Sequence, residues 1–271
     1  MHIFHPTDFS PASDVAFVHA LKLALISQGT FTIFHFARED DDVPDFPQVR
    51  QTLTQWGLLP PNSPREAVQA MLGLRVRKVQ VGGDDPSEAV AGYLAKHPAD
   101  LIALATHQRS GPARWLSGEV AVPLVRRAAV PALFVPPVTN GFVDPATGAG
   151  RLHRILMPID RHPHPRATIE MVSALAAAIQ PDPVEVELLH VGTADTVPRF
   201  EIPKGTTCSW TTRVVAGRAV EAILDADQAW APDLMVVTTE GRHGFLDALR
   251  GSTTERIVRG ARAPVLAVAE R

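Results

Sequence analysis

The sequence predicts an α/β protein made of two tandem, doubly wound parallel-sheet domains. Three observations predict it. Residues 100–135 align without a gap on residues 233–268, with Asp, Leu, Thr, Arg, Gly, Leu, Gly, Val, Arg, Ala, Pro, Leu and Val recurring in register. Self-similarity over such a stretch marks a repeated structural unit. Each half also alternates short apolar runs with helical stretches, the pattern that lays strands parallel with crossover helices between them. Between the halves, residues 136–150 (PPVTNGFVDPATGAG) are rich in proline, glycine and small polar residues, the composition of a connector.

Both halves open on an apolar strand that ends in an aspartate, Asp8 in HIFHPTD and Asp160 in RILMPID. Helices follow over 13–26 and 166–179, where apolar residues recur at helical spacing. Second strands are expected over 31–36 and 184–191, ending in His35-Phe36 and His190-Val191. Third strands are expected over 74–81 and 211–216; each runs into glycine and an apolar-periodic helix. The runs 101–106 and 234–239 read as buried parallel strands. The halves differ between their second and third strands. There the first half has room for helical turns around 46–57 and 65–72, whereas 192–209 in the second reads as loop. These boundaries give domains over 1–137 and 152–271, joined by a linker over 138–151.

A chain of 271 residues that is 45% hydrophobic can bury two compact cores. Its net charge of -3 with 26 scattered basic residues gives no footprint for a nucleic-acid backbone, so no DNA or RNA partner is expected. The lone Cys208 has no partner for an intramolecular disulfide and no metal-ligand spacing around it, which suits a reducing cytoplasm. The amino terminus lacks the basic and apolar regions of a secretion signal, and apolar runs such as 131–135 are too short to cross a bilayer as a helix. No membrane association is expected.

The chemistry-bearing stretch is Gly241-Arg242-His243-Gly244, a six-residue spacer, then Gly251-Ser252-Thr253, between a buried strand and a helix over 254–262. Glycines let main-chain amides approach a ligand, and hydroxyls and free N–H groups at a helix start suit phosphate oxygens. Read alone, the same residues also serve as turn glycines and a helix cap. The preceding strand and Asp160 favour a ligand, since open α/β sheets bind beyond the carboxyl ends of their strands. His162, His164 and His243 lack the spacing of a common zinc motif. No metal site is assigned. Walker A, G-x-S-x-G, H-E-x-x-H and C-x-x-C motifs are all missing, and no catalytic residue is assigned.

The pattern Gly241, Gly244, Gly251-Ser252, then Glu255-Arg-Ile-Val-Arg259 and Pro264-Val265-Leu266 resembles the universal stress protein family, across both halves. The resemblance implies two domains of the adenine nucleotide alpha hydrolase-like fold and ATP bound in the second, with Mg2+ accompanying the triphosphate. Asp160, beside Pro158 and Ile159, would meet the adenosine, and the backbone at Val191 would hydrogen-bond the adenine. Gly241, Gly244, Gly251, Ser252 and Thr253 would hold phosphates, with Arg242 and His243 adding positive charge or facing solvent. In the first half Gln108 replaces Gly241 and Glu119 replaces Ser252, leaving Gly111, Gly118 and Asp8. A carboxylate at that helix start answers the amides itself and repels phosphate, so no triphosphate is expected there.

The expected function is therefore a cytoplasmic, stress-response regulatory protein that binds ATP and signals to an unidentified protein partner. The resemblance also implies a pseudo-dimer within the chain, its last strands (132–135 and 265–268) meeting at a pseudo-twofold axis, and leaves homodimerisation open. A weak ATP hydrolase or self-phosphorylating enzyme, and a nucleotide-free scaffold, are the alternatives.

Overall fold

A computed structural model describes residues 1–37, 46–106, 130–137, 139, 141–179, 182–240 and 253–270. The chain divides into two compact units, Met1–Pro137 with Val143–Ala149, and Val138–Phe142 with Gly150–Arg271.

The first unit runs β1 (His2–Pro6), α1 (Pro11–Ile26), β2 (Thr30–Ala37), α2 (Val49–Gln55), α3 (Ala67–Leu72), β3 (Arg75–Gly82), α4 (Pro86–Lys96), β4 (Leu101–Ala105) and β5 (Ala132–Val135). Its strands are parallel, in the order β3-β2-β1-β4-β5. β4 and β5 are buried along their whole length, as expected for apolar runs in a parallel sheet covered on both faces. The start of α1 is fixed by Ser10, whose hydroxyl accepts from Ser13 N at 3.3 Å, and by Pro11, whose missing N–H costs nothing in a first turn. Phe4, Phe31 and Phe34 fill the centre, and the Phe4 and Phe34 rings lie 5.3 Å apart.

The second unit repeats the plan: β6 (Arg154–Pro158), α5 (Arg166–Ile179), β7 (Val184–Val191), a 3-10 turn (Ala194–Thr196), β8 (Cys208–Val215), α6 (Ala219–Trp230), β9 (Leu234–Thr239), α7 (Thr253–Gly260) and β10 (Val265–Ala269). The strands are again parallel, ordered β10-β9-β6-β7-β8. α2 and α3 fall where helical turns are expected and have no counterpart here beyond the 3-10 turn. β8 begins at Cys208, ahead of the strand expected from 211, because it pairs with β7 from Val184↔Cys208 onward. Cross-strand pairing, which single-strand periodicity does not report, sets that boundary.

The recurring Asp-Leu pair has a structural cause. Asp100 Oδ2 accepts from His2 N at 2.7 Å, and Asp233 Oδ2 accepts from His153 N and Arg154 N at 2.7 and 2.9 Å. Each aspartate thus satisfies main-chain amides at the start of its unit's first strand. Residues 143–149 are held to the first unit by side chains: Trp56 Nε1 donates to Pro145 O at 3.0 Å and Lys22 Nζ to Gly148 O at 2.8 Å. Gly148 has φ +68°, and a Cβ there would meet the Trp56 ring. Among the described residues no helix is long and apolar enough to cross a membrane.

Candidate functional site

In the second unit β6 leads to β7 and β8 on one side, and the chain then returns to place β9 on the other. Such a reversal opens a crevice at the carboxyl ends of the strands. A cleft of about 800 Å3 lies there, lined by Pro158 at the end of β6, Ile159, Asp160, His162 and Pro163 beyond it, Val191 at the end of β7, Val237, Thr238 and Thr239 of β9 with Glu240 after them, and Thr253 and Thr254 at the start of α7. Its apolar wall adds Leu189, Ile223 and Ile257. The size and the mixture of an apolar wall with few polar groups are those of a small-molecule site. Both α6 and α7 present their first residues, Ala219 and Thr253, to the cleft, so two positive helix ends border it.

Five sequence-predicted residues, Pro158, Ile159, Asp160, Val191 and Thr253, therefore line one cavity. Gly241, Arg242, His243, Gly244, Gly251 and Ser252 lie outside the described residues, as do Gln108, Gly111, Gly118 and Glu119 of the first half. The Val191 backbone follows from ladder parity. Gly192 N donates to Val215 O in β8, while Ile159 N donates to Leu189 O in β7. Alternate residues of a parallel strand turn their peptide groups to opposite neighbours. Val191 shares parity with Leu189, so its N–H and C=O point towards the β6 side, past the end of that strand at Pro158.

A buried histidine holds this corner together. His190 Nδ1 meets Ile159 O at 3.2 Å and Nε2 meets Thr196 Oγ1 at 2.7 Å, joining the ends of β6 and β7 to the following turn. Gly192 is required by close approach, since a Cβ there would lie 2.7 Å from His190 Nε2 and 2.8 Å from Thr196 Oγ1. His35 repeats the bond in the first unit, Nδ1 to Thr7 O at 2.9 Å. The recurring histidines at the ends of the second strands were the sequence signal of this bracket, although its contact to Thr196 was not legible. His164 is engaged on both nitrogens: Nδ1 accepts from Arg166 N at 3.3 Å, so Nε2 donates to Arg199 O at 3.0 Å. Arg161 likewise donates to the carbonyls of Asp195 and Thr196. These bonds tie residues 195–199 to the strand end rather than offering a ligand set.

The aspartates of the two units are used differently. Asp8 Oδ1 accepts from Ser13 Oγ at 2.6 Å and from Ser10 N at 3.0 Å, so this carboxylate serves the entry to α1. Phe9 follows it at φ 58°, its ring 4.3 Å from His35 and 5.3 Å from Phe46. Asp160 is exposed at the cleft and its Oδ1 accepts from Arg161 N at 2.7 Å, the neighbouring amide. One unit has turned its aspartate inward and laid aromatic rings beside it; the other presents the carboxylate to the cavity.

A family model described as the universal stress protein family matches residues 1–136 and 201–269. The chain belongs to the universal stress protein family. Solved structures agree on the fold: a universal stress protein from Archaeoglobus fulgidus DSM 4304 is 16% identical, with a TM-score of 0.61 over 99% of this chain and 96% of its own. A functionally unknown protein from Pseudomonas aeruginosa PAO1 is 14% identical, with a TM-score of 0.59 over 99% of this chain and 92% of its own. No curated protein matches the chain.

Proposed function

We propose that this universal stress protein binds ATP in the cleft of its second unit and acts as a nucleotide-dependent regulator of a protein partner. The observation that carries the reading is the crevice beyond β6 and β9, where the Asp160 carboxylate, the Val191 peptide groups and two helix starts converge on about 800 Å3 of space. Its apolar wall suits a purine, Asp160 suits sugar or base hydroxyl and amino donors, and the α7 start suits phosphate oxygens. Gly241, Gly244, Gly251, Ser252 and Thr253 complete the phosphate side of this proposal. Mg2+ would arrive with the triphosphate and offset its charge.

The first unit takes no triphosphate in this reading, because Asp8 is committed to α1 and Glu119 stands where Ser252 stands. Among the described residues the polar members of the cleft are Asp160, His162, Thr238, Thr239, Glu240, Thr253 and Thr254, and this reading assigns them to holding the nucleotide in a regulatory protein. Calorimetric titration of the full chain with ATP tests the reading. Asp160→Ala should weaken binding by about 10- to 100-fold, the value of a hydrogen bond to a charged group. Gly251→Leu should abolish it while circular dichroism stays unchanged. Unaltered affinity in both variants would remove the support.

A further inference from the structure

The outermost strand of the second unit's sheet, β8, pairs with β7 on one side only. At its two ends Val184 N donates to Thr207 O at 3.3 Å and Gly192 N to Val215 O at 2.8 Å. Odd-numbered residues of β8 therefore turn their peptide groups to β7, and even-numbered ones turn theirs outward. Cys208 is capped: its N–H donates to Thr206 Oγ1 at 2.9 Å, and the same hydroxyl donates to Cys208 O at 3.3 Å. Among the described residues no hydrogen bond meets the outward N–H and C=O groups of Trp210, Thr212 and Val214. Thr212 is exposed, and so is Val214, at 38%. An open edge of this kind is a template for another strand, and proteins ordinarily guard it with charge or proline. The outermost strand of the first unit, β3, carries Arg75, Arg77 and Lys78. In β8 the charged residue is Arg213, and it is neutralised within the chain by Glu187 Oε1 at 2.7 Å.

We propose that β8 is a dimerisation strand, on which a second copy of this chain lays its own β8 antiparallel, with Thr212 on the twofold axis. The occupant is read from the strand's complementarity to itself. Two copies of one edge related by a twofold run antiparallel, and such pairing closes by using the same patch twice. With Thr212 opposite Thr212 of the second copy, the two exchange both backbone bonds, and Trp210 does the same with Val214 of the second copy. Every outward N–H and C=O of the open edge is then met. The side chains agree with that register. Even-numbered residues share one face, where it sets Trp210 beside Val214 and threonine beside threonine, an aromatic with a β-branched residue and a pair of hydroxyls, both of which stabilise antiparallel ladders. On the other face Arg213 meets Thr211 of the second copy, so no like charges oppose one another. The pairing involves no residue of the nucleotide cleft and stands apart from the ATP reading.

Sedimentation equilibrium of the full chain without nucleotide, over a range of concentrations, tests the proposal. A monomer–dimer equilibrium is expected. Thr212→Lys and Thr212→Glu each set like charges across the axis and should each weaken association at least about tenfold. Thr212 is exposed, so both variants should keep their circular dichroism. An equimolar mixture of the two should restore association, because lysine then faces glutamate; a misfolded variant would not be rescued. A wild-type chain that stays monomeric at every concentration, including one that instead takes an added extended peptide along β8, would overturn the proposal. So would association that Thr212→Lys leaves unchanged, or a mixture that associates no more tightly than either variant alone.

Discussion

Acidification from pH 7 to pH 5 should loosen the first unit through two buried histidines. His5 on β1 is inaccessible to solvent, and burial pushes its pKa down from 6.5 to about 4, partly offset by its bond to Ala103 O and by the charge of Asp8. Burial does the same to His19 on α1, again to about 4, against the opposing effect of its bond to Val15 O. The folded-state values are depressed, so the unfolded chain binds more protons between about pH 6.5 and pH 4. Stability is complete above that window and is lost as pH falls through it. At pH 5 an exposed imidazole is almost fully protonated and these two are almost fully neutral, which amounts to about 2 kcal/mol each and about 4 together. Asp14, raised by burial and by Asp8, works in the opposite sense, favouring the folded state at low pH. Hydrogen exchange of β1 and α1 peptides, corrected for intrinsic rates, should show protection lower by up to roughly a thousandfold at pH 5. Exchange free energies unchanged between the two pH values, or a His5 imidazole titrating by NMR at or above 6.5, would refute the reasoning.

Gly148→Ala should destabilise the first unit by at least about 1 to 2 kcal/mol, the cost of a left-handed backbone alone, and release the Trp56 contact to Pro145 O; thermal unfolding followed by tryptophan fluorescence checks it. Asp227→Ala should cost the second unit about 2 to 4 kcal/mol, because the carboxylate accepts from the amides of Arg262 and Ala263 at 2.7 and 3.3 Å and both would lose a partner; urea unfolding measures it, and a loss below 1 kcal/mol on the same scale would contradict it.

The fold was legible because parallel strands buried on both faces are continuous apolar runs, and because the repeat offered each element twice. Pro158, Ile159, Asp160 and Val191 were named through the family resemblance, with the strand end before Asp160 as the local signal; the structure brings them to one cleft, and their binding of a ligand belongs to the proposal. The bracket of His190, Gly192 and Thr196 was less legible, since it depends on a turn folding back onto a strand. Asp227 reaches across to residues 262–263, a contact that helical periodicity does not record. The opposite use of Asp8 and Asp160 was only half legible: the substitution at Glu119 marked the first half as altered, but the serine hydroxyl that claims Asp8 was not anticipated.

Equilibrium dialysis of the full chain against labelled ATP, with the stoichiometry read at saturation, tests the central claim most directly. One ATP per chain, lost on Gly251→Leu, is the predicted result. Two per chain, none, or one that persists in that variant would contradict it.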